Sequence, residues 1–460
     1  MFKIIVRYAL GLYIIMILNA LVKLIIRPLL SQMGGDELLG GYEYFLSIAL
    51  IGSTIVSFGG KRAWVQWGSR KGNIKQLYLN LTKYLLVLAS GSLIVLLASY
   101  IYGVTKYILI AWFSVGVISE TIVLAGTAIA KSILKLKFEA RLLLIRLGLL
   151  LVSIIVYWLY IDHTLQNLYI TLGTYYLVVA LISFLIFKMI SLEKESTQNS
   201  NFKSFLKFSA ILWIIDLASV AHTGLDRIVL KNFFDIGTLG KYGVILTFLL
   251  VIEQPCSVIN EIILPYFTKK IPDPKEFRKL AFFNIFLFML LGQIMILLYP
   301  RIAPLVFKTD TESLKWVLFI GLVMYILKGF ELLQTNLTIS AGFVEINRKA
   351  IIYSIMLYIP ILMFGVIYFK LEGTALARLL YFMFYIMIHY FLARKHFGEM
   401  LRKGLLAIYA GVPLSLLSFY FCQQYSVTYI IWLIPVITFL TGYYYKIIPD
   451  YKTLMDIAKQ

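Results

Sequence analysis

The sequence predicts an all-α, polytopic membrane protein of about fourteen transmembrane helices, and three observations lead there. Hydrophobic residues make up 61% of the 460 residues and charged residues only 14%, whereas a soluble chain is roughly half apolar and a quarter charged. The apolar residues come in runs of about 20, the length that crosses a ~30 Å hydrocarbon layer as a helix. The runs are continuous instead of alternating, which excludes a membrane β-barrel, and their density excludes disorder and coiled coil. Too little polar chain remains for a separate soluble domain.

Spans are expected near 8–30, 41–58, 78–101, 107–130, 142–161, 169–188, 207–230, 241–266, 280–299, 315–339, 350–369, 374–392, 404–423 and 428–446. The start, Met1-Phe2-Lys3-Ile4-Ile5, runs into an apolar stretch too long for a signal peptide and reads as a span that stays in place. Between the second and third spans lies Lys61-Arg62-Ala63-Trp64-Val65-Gln66-Trp67-Gly68-Ser69-Arg70, a cationic strip with two tryptophans, suited to lie on a leaflet surface. After six spans comes the most polar segment, Ser191 to Asn201, a solvated linker. It sets the expected organisation: an N-terminal six-helix bundle over 1–200, a second over 201–400, and an additional helix pair with a tail over 401–460.

Lys+Arg number 43 against Asp+Glu 23, a formal charge of +20. In a soluble chain this excess would suggest nucleic acid, but here the basic residues gather in the connections, where they fix orientation and face anionic lipid. The side holding the N-terminus collects Lys3, Arg7, Lys61, Arg62, Arg70 and Lys71, then Lys131, Lys135, Lys137, Arg141 and Arg146, then Lys269, Lys270, Lys275, Arg278 and Lys279, with Arg394, Lys395, Arg402 and Lys403 further on. The opposite side holds only scattered lysines and Arg301. Both termini are therefore expected in the cytoplasm, which requires an even number of spans. Cys256 and Cys422 lie far apart inside apolar runs and form neither a disulfide framework nor a metal spacing.

A shift of 200 residues superposes the two halves. Arg27-Pro28-Leu29-Leu30 falls on Arg227-Ile228-Val229-Leu230, and Leu39-Gly40-Gly41-Tyr42 on Leu239-Gly240-Lys241-Tyr242. Repeats six spans long keep one orientation, so the axis relating them runs along the membrane normal, an arrangement that suits an alternating-access carrier. Arg27 and Arg227 each lie twenty residues beyond a basic residue at a helix start, roughly 30 Å along the helix. They read either as snorkelling residues at helix ends or as a pair of cations at the outer mouth of a cleft.

These motifs, the basic loop after the second span, and fourteen spans in two related halves resemble the Wzx-like oligosaccharide flippases. That is the surface-polysaccharide branch of the multidrug/oligosaccharidyl-lipid/polysaccharide superfamily. The resemblance implies movement of undecaprenyl-pyrophosphate-linked repeat units from the cytoplasmic to the outer leaflet of the bacterial inner membrane, for O-antigen, capsule or exopolysaccharide synthesis. It implies no cofactor; the partners are lipid-linked oligosaccharide, membrane lipids and other polysaccharide-assembly membrane proteins.

Charged residues within spans are the candidate working groups, because each costs a few kcal/mol unless paired or wetted. For an anionic substrate these are Lys23 and Arg27 (i, i+4 on one helix face, with Asn19 a turn away), Arg227, Lys328 and Arg378. For ion coupling they are Asp216, His222 and Asp226 on the seventh span and Glu253 beside Pro255 on the eighth, where a proline can free a carbonyl. Each has a structural alternative: interfacial anchoring for Lys23 and Arg27, charge cancellation for His222–Asp226, and a self-neutralising Lys328–Glu331 pair at i, i+3. Glu120 and Arg378 lack local partners and are expected to pair across helices.

No nucleotide-binding loop, zinc spacing or serine-nucleophile motif is present, so no enzymatic activity is expected. A membrane polysaccharide polymerase would need a long external loop of polar catalytic groups, and the external loops are short. A cation-coupled multidrug antiporter on the same fold is the closer alternative. Isolated carboxylates in the spans would favour it, and cationic side chains would favour an anionic lipid.

Overall fold

The computed structural model describes residues 2–57, 105–132, 136–189, 202–269, 271–307 and 314–424. The tryptophan strip at 61–70, the expected span at 78–101, the linker at 191–201 and the last span lie outside them. Among the described residues there are helices and no strands: α1 Phe2–Val56, α2 Thr105–Ser132, α3 Leu136–Tyr160, α4 Leu165–Met189, α5 Phe202–Phe233, α6 Ile236–Lys269, α7 Pro274–Val306, α8 Lys315–Ser340 and α9 Val344–Gln424. Eight stretches of these residues are long and apolar enough to cross a membrane. The chain is an all-α, multi-pass membrane protein.

Two of the long helices are broken where the sequence separates spans. In α1 the break falls at Gly34 and Gly35, and Gly35 takes φ 67°, a left-handed conformation that glycine adopts without a Cβ penalty. In α9 it falls at Lys370 and Phe397, in the expected connections after 369 and 392. Other helix starts are set by side-chain caps. Asp273 accepts from the amides of Lys275 and Glu276 at 2.7 and 2.8 Å, with Pro274 in the first turn. Asp235 accepts from the Thr238 amide at 2.6 Å ahead of α6. That hydrogen bond holds the Asp235 carboxyl below its ordinary range.

By packing, the chain divides into two units, Met1–Gly240 and Lys241–Gln460. In the first, α1 packs on α2 and α5, and α2 on α4. Its core includes Tyr42, Phe45, Leu142, Tyr157 and Leu172, all essentially inaccessible. In the second, α8 packs on α9 and α7 around Tyr299, Phe330, Tyr358 and Tyr385. Large apolar side chains lie on the outside, among them Val152, Trp158 and Leu159 of α3 and Met356, Phe364 and Tyr368 of α9. Charge buried inside and apolar surface outside is the pattern a lipid solvent selects.

The 200-residue register reappears as a contact. A Cβ added at Gly40 would lie 1.9 Å from the Ile236 carbonyl oxygen, and one added at Gly240 would lie 1.8 Å from that of Asp36. The two approaches exchange when the numbers are shifted by 200. The repeated glycines let α1 and the first turn of α6 touch backbone to backbone, where any side chain would hold them apart.

Candidate functional site

The first unit contains a buried polar cluster built by α1 and α5. The second half of α1 and α5 run antiparallel: Trp213 Nε1 donates to the Thr54 carbonyl at 2.9 Å, and Arg227 Nη1 donates to Ser47 Oγ at 3.3 Å. That packing places three charged residues together. Arg27 Nη2 is 2.6 Å from Glu43 Oε1, and Arg227 Nε is 3.5 Å from Glu43 Oε2. Arg27 is 3% exposed and Glu43 fully buried. The two arginines related by the repeat thus meet on one carboxylate, which the sequence reading passed over. Asp226, also fully buried, accepts from the Arg227 amide at 2.8 Å.

A second pair lies between α2 and α3. Arg146 Nη2 is 2.7 Å from Glu120 Oε2, Arg146 Nε donates to Tyr175 Oη at 3.3 Å, and the guanidinium sits 5.7 Å from the Tyr176 ring centre. Glu120 does pair across helices, as its lack of a local partner implied. Arg146, however, is a partly buried interior cation of α3 and not a loop charge. In the sequence it stands close to Arg141 and the basic connection, whereas in the bundle its guanidinium turns inward to Glu120. Arg27, Arg146 and Arg227 face Glu43, Glu120 and Asp226 within this unit, so these six formal charges balance.

In the second unit Lys328 Nζ is 2.9 Å from Glu253 Oε1, bridging α8 and α6, and lies 5.0 Å from the Tyr325 ring. Glu331 accepts from Thr335 Oγ1 at 3.0 Å. The contact sequence spacing missed is therefore the one across helices: a candidate ion-coupling carboxylate and a candidate substrate-binding lysine are partners. α6 continues as one helix past Pro255. Arg378, 6% exposed, donates to Tyr242 Oη at 3.0 Å and lines a small cavity with Leu249, Gly321 and Met324. Lys23, Asp216 and His222 are partly buried on α1 and α5. Glu43 had one sequence signal, an acidic residue inside a predicted span, which requires a buried cation as partner.

No family model matches the sequence, and no curated protein matches it. The fold is shared with solved transporters. The lipid II flippase MurJ in an inward closed conformation aligns with a TM-score of 0.66 at 15% identity, over 96% of this chain and 99% of that one. The MATE multidrug transporter DinF-BH aligns at 0.60 and 14% identity, over 86% and 95%. An inward-facing multidrug resistance MATE family transporter of the MOP superfamily aligns at 0.59 and 11%, over 83% and 94%. The chain therefore has the fold of the MOP-type flippases and transporters, and at these identities the likeness is one of fold alone.

Proposed function

We propose that the protein is a flippase that moves undecaprenyl-pyrophosphate-linked oligosaccharide repeat units from the cytoplasmic to the outer leaflet of a bacterial inner membrane by alternating access. Its termini lie in the cytoplasm, and two six-helix bundles rock about the cargo. Sugar-carrying lipids made this way feed surface polysaccharide synthesis, alongside other membrane proteins of that assembly. The observation that carries the reading is the convergence of Arg27 and Arg227 on Glu43 in the interior of a membrane bundle. Guanidinium groups bind phosphate oxygens bidentately, and an apolar bundle keeps a pair of them only at the cost of desolvation.

The driving force follows from charge. An inside-negative potential favours outward movement of an anion by ~2.3 kcal/mol per charge per 100 mV, so a diphosphate headgroup moves down the electrical gradient once a polar path exists. Drug-cation antiport on the same fold is less well supported. Glu43, Glu120 and Glu253 each have an arginine or lysine nitrogen within 3 Å, whereas an organic cation needs a carboxylate not already neutralised.

The test is deletion of the gene followed by chemical identification of the lipid-linked glycan left on the cytoplasmic leaflet. Accumulation of a diphosphate-linked oligosaccharide is expected, with restoration by the wild-type chain and not by Arg27→Ala or Arg227→Ala at equal membrane abundance. Full complementation by both variants would defeat the reading. If Glu253 couples transport to a cation, Glu253→Gln changes the sodium or pH dependence; an unchanged dependence leaves it a structural partner of Lys328.

A further inference from the structure

The ion pair at the centre of the first unit is built unlike a fixed structural one. A guanidinium and a carboxylate held permanently together in an apolar interior engage best as a fork, two parallel hydrogen bonds between one arginine and one acid. Glu43 instead offers one oxygen to Arg27 Nη2 at 2.6 Å and the other to Arg227 Nε at 3.5 Å. Nε and Nη1 of Arg27 are buried without a hydrogen-bond partner among the described residues, and so is the hydroxyl of the adjoining Tyr42. An unmade hydrogen bond on a buried cation costs more than one on a neutral group.

The internal repeat adds a second observation. The position matching Glu43 in the other half is Gly243, so the repeat supplies two arginines but one carboxylate, and Arg227 reaches to the carboxylate of the first copy. The neighbouring acid, Asp226, turns one oxygen to the backbone amide of Arg227. Ser47 accepts from Arg227 Nη1 at 3.3 Å while its own hydroxyl donates to the Glu43 carbonyl at 2.8 Å. The two ion pairs give each Glu43 oxygen one nitrogen but neither oxygen a hydrogen bond among the described residues, so donors and acceptors are left unmatched on both sides.

We propose that Glu43 is a tethered placeholder for a phosphate oxyanion: its carboxylate bridges Arg27 and Arg227 while the site is empty and yields them to the phosphoryl oxygens of the cargo. A phosphate or diphosphate group has more oxygens than a carboxylate and satisfies the donors that Glu43 leaves over. The idea rests on the flippase reading for its cargo but not for its geometry. Without the placeholder, two guanidinium groups would face each other unbalanced in every empty cycle. With it, one of the two positive charges is balanced at rest, and the cargo must compete for entry.

Competition gives the test. The purified full-length chain in detergent is titrated with sodium pyrophosphate at constant ionic strength, and binding is read from the thermal unfolding midpoint. If the placeholder occupies the site most of the time, E43Q half-saturates at ~10-fold lower pyrophosphate than wild type, because the apparent affinity scales with the fraction of open site. The R27Q/E43Q double variant then loses the response. Equal or weaker binding by E43Q, or no pyrophosphate response in either protein, overturns the proposal. If E43Q cannot be recovered folded, E43D keeps the charge on a shorter stem and is expected to bind more tightly than wild type; equal or weaker binding overturns the proposal there too. Repeating the series with undecaprenyl diphosphate separates the sources. The same ranking supports a lipid headgroup at this site. A ranking seen with pyrophosphate alone supports the placeholder for a soluble anion and defeats the flippase reading.

Discussion

One methyl group added at Gly240 should destabilise this protein by about 3 kcal/mol or more, the upper end for overpacking. The figure follows from the contact it would meet. A Cβ there would lie 1.8 Å from the Asp36 carbonyl oxygen, and a Cβ on Gly40 would lie 1.9 Å from that of Ile236. Close carbon–oxygen contacts between helices settle at about 3.3–3.6 Å, so the backbones must part by about 1.5 Å. Both atoms met are backbone, so no side chain can rotate away. Two internal controls exist. At Gly41 the first atom met is Leu165 Cδ1 at 2.6 Å, the far end of a flexible side chain, and at Gly148 nothing lies within 4 Å. Thermal unfolding in detergent should therefore rank G148A at or above wild type, since alanine is the better helix former by about 1 kcal/mol. G41A falls in between, and G40A and G240A lie far below. The G40A/G240A double variant should be little worse than either single, because one separation admits both methyls. Wild-type melting of G240A would refute the backbone contact and, with it, the structural form of the repeat.

Further outcomes concern charge and capping. Glu120→Gln and Arg146→Gln should each lower the melting midpoint, and the double variant should recover part of the loss, giving a coupling energy of about 1–3 kcal/mol in a double-mutant cycle; an additive double would show that the pair at 2.7 Å contributes nothing. Lys328→Met should be destabilising with Glu253 in place and nearly neutral with Glu253→Gln, the read-out being the difference in midpoint between the two backgrounds. Asp235→Ala removes the cap of α6 and should cost about 1 kcal/mol at neutral pH. Because its hydrogen bonds, first that from the Thr238 amide, depress the folded-state pKa below the ordinary aspartate value, that advantage is present above the ordinary value and is lost as pH falls through the depressed one. Stability measured at falling pH from neutral should therefore narrow the gap between wild type and Asp235→Ala, and a constant gap through the acid range would show that the carboxylate charge is not involved.

Hydropathy alone indicated an all-α, multi-pass membrane chain, because transfer of apolar side chains into lipid is a property of each run by itself. The separations expected after 369 and 392 return as backbone breaks at Lys370 and Phe397. The 200-residue register was also legible, because it is a match of letters, and the paired approaches of Gly40 and Gly240 give it a physical form. The candidate site was half legible. Arg27 and Arg227 stood out as cations in apolar runs, but Glu43 and Arg146 did not, the first as a single acid in a span and the second beside a basic loop. Which charges meet is decided by helix packing: Glu43 with both arginines, Glu120 with Arg146, and Glu253 with Lys328. Spacing along one helix finds only neighbours one turn away, whereas Coulomb attraction in an apolar interior acts between helices that are distant in sequence. Composition and hydropathy are thus enough to bury charges in a membrane bundle, but it takes the packing of α1 against α5 to set two arginines on a single carboxylate.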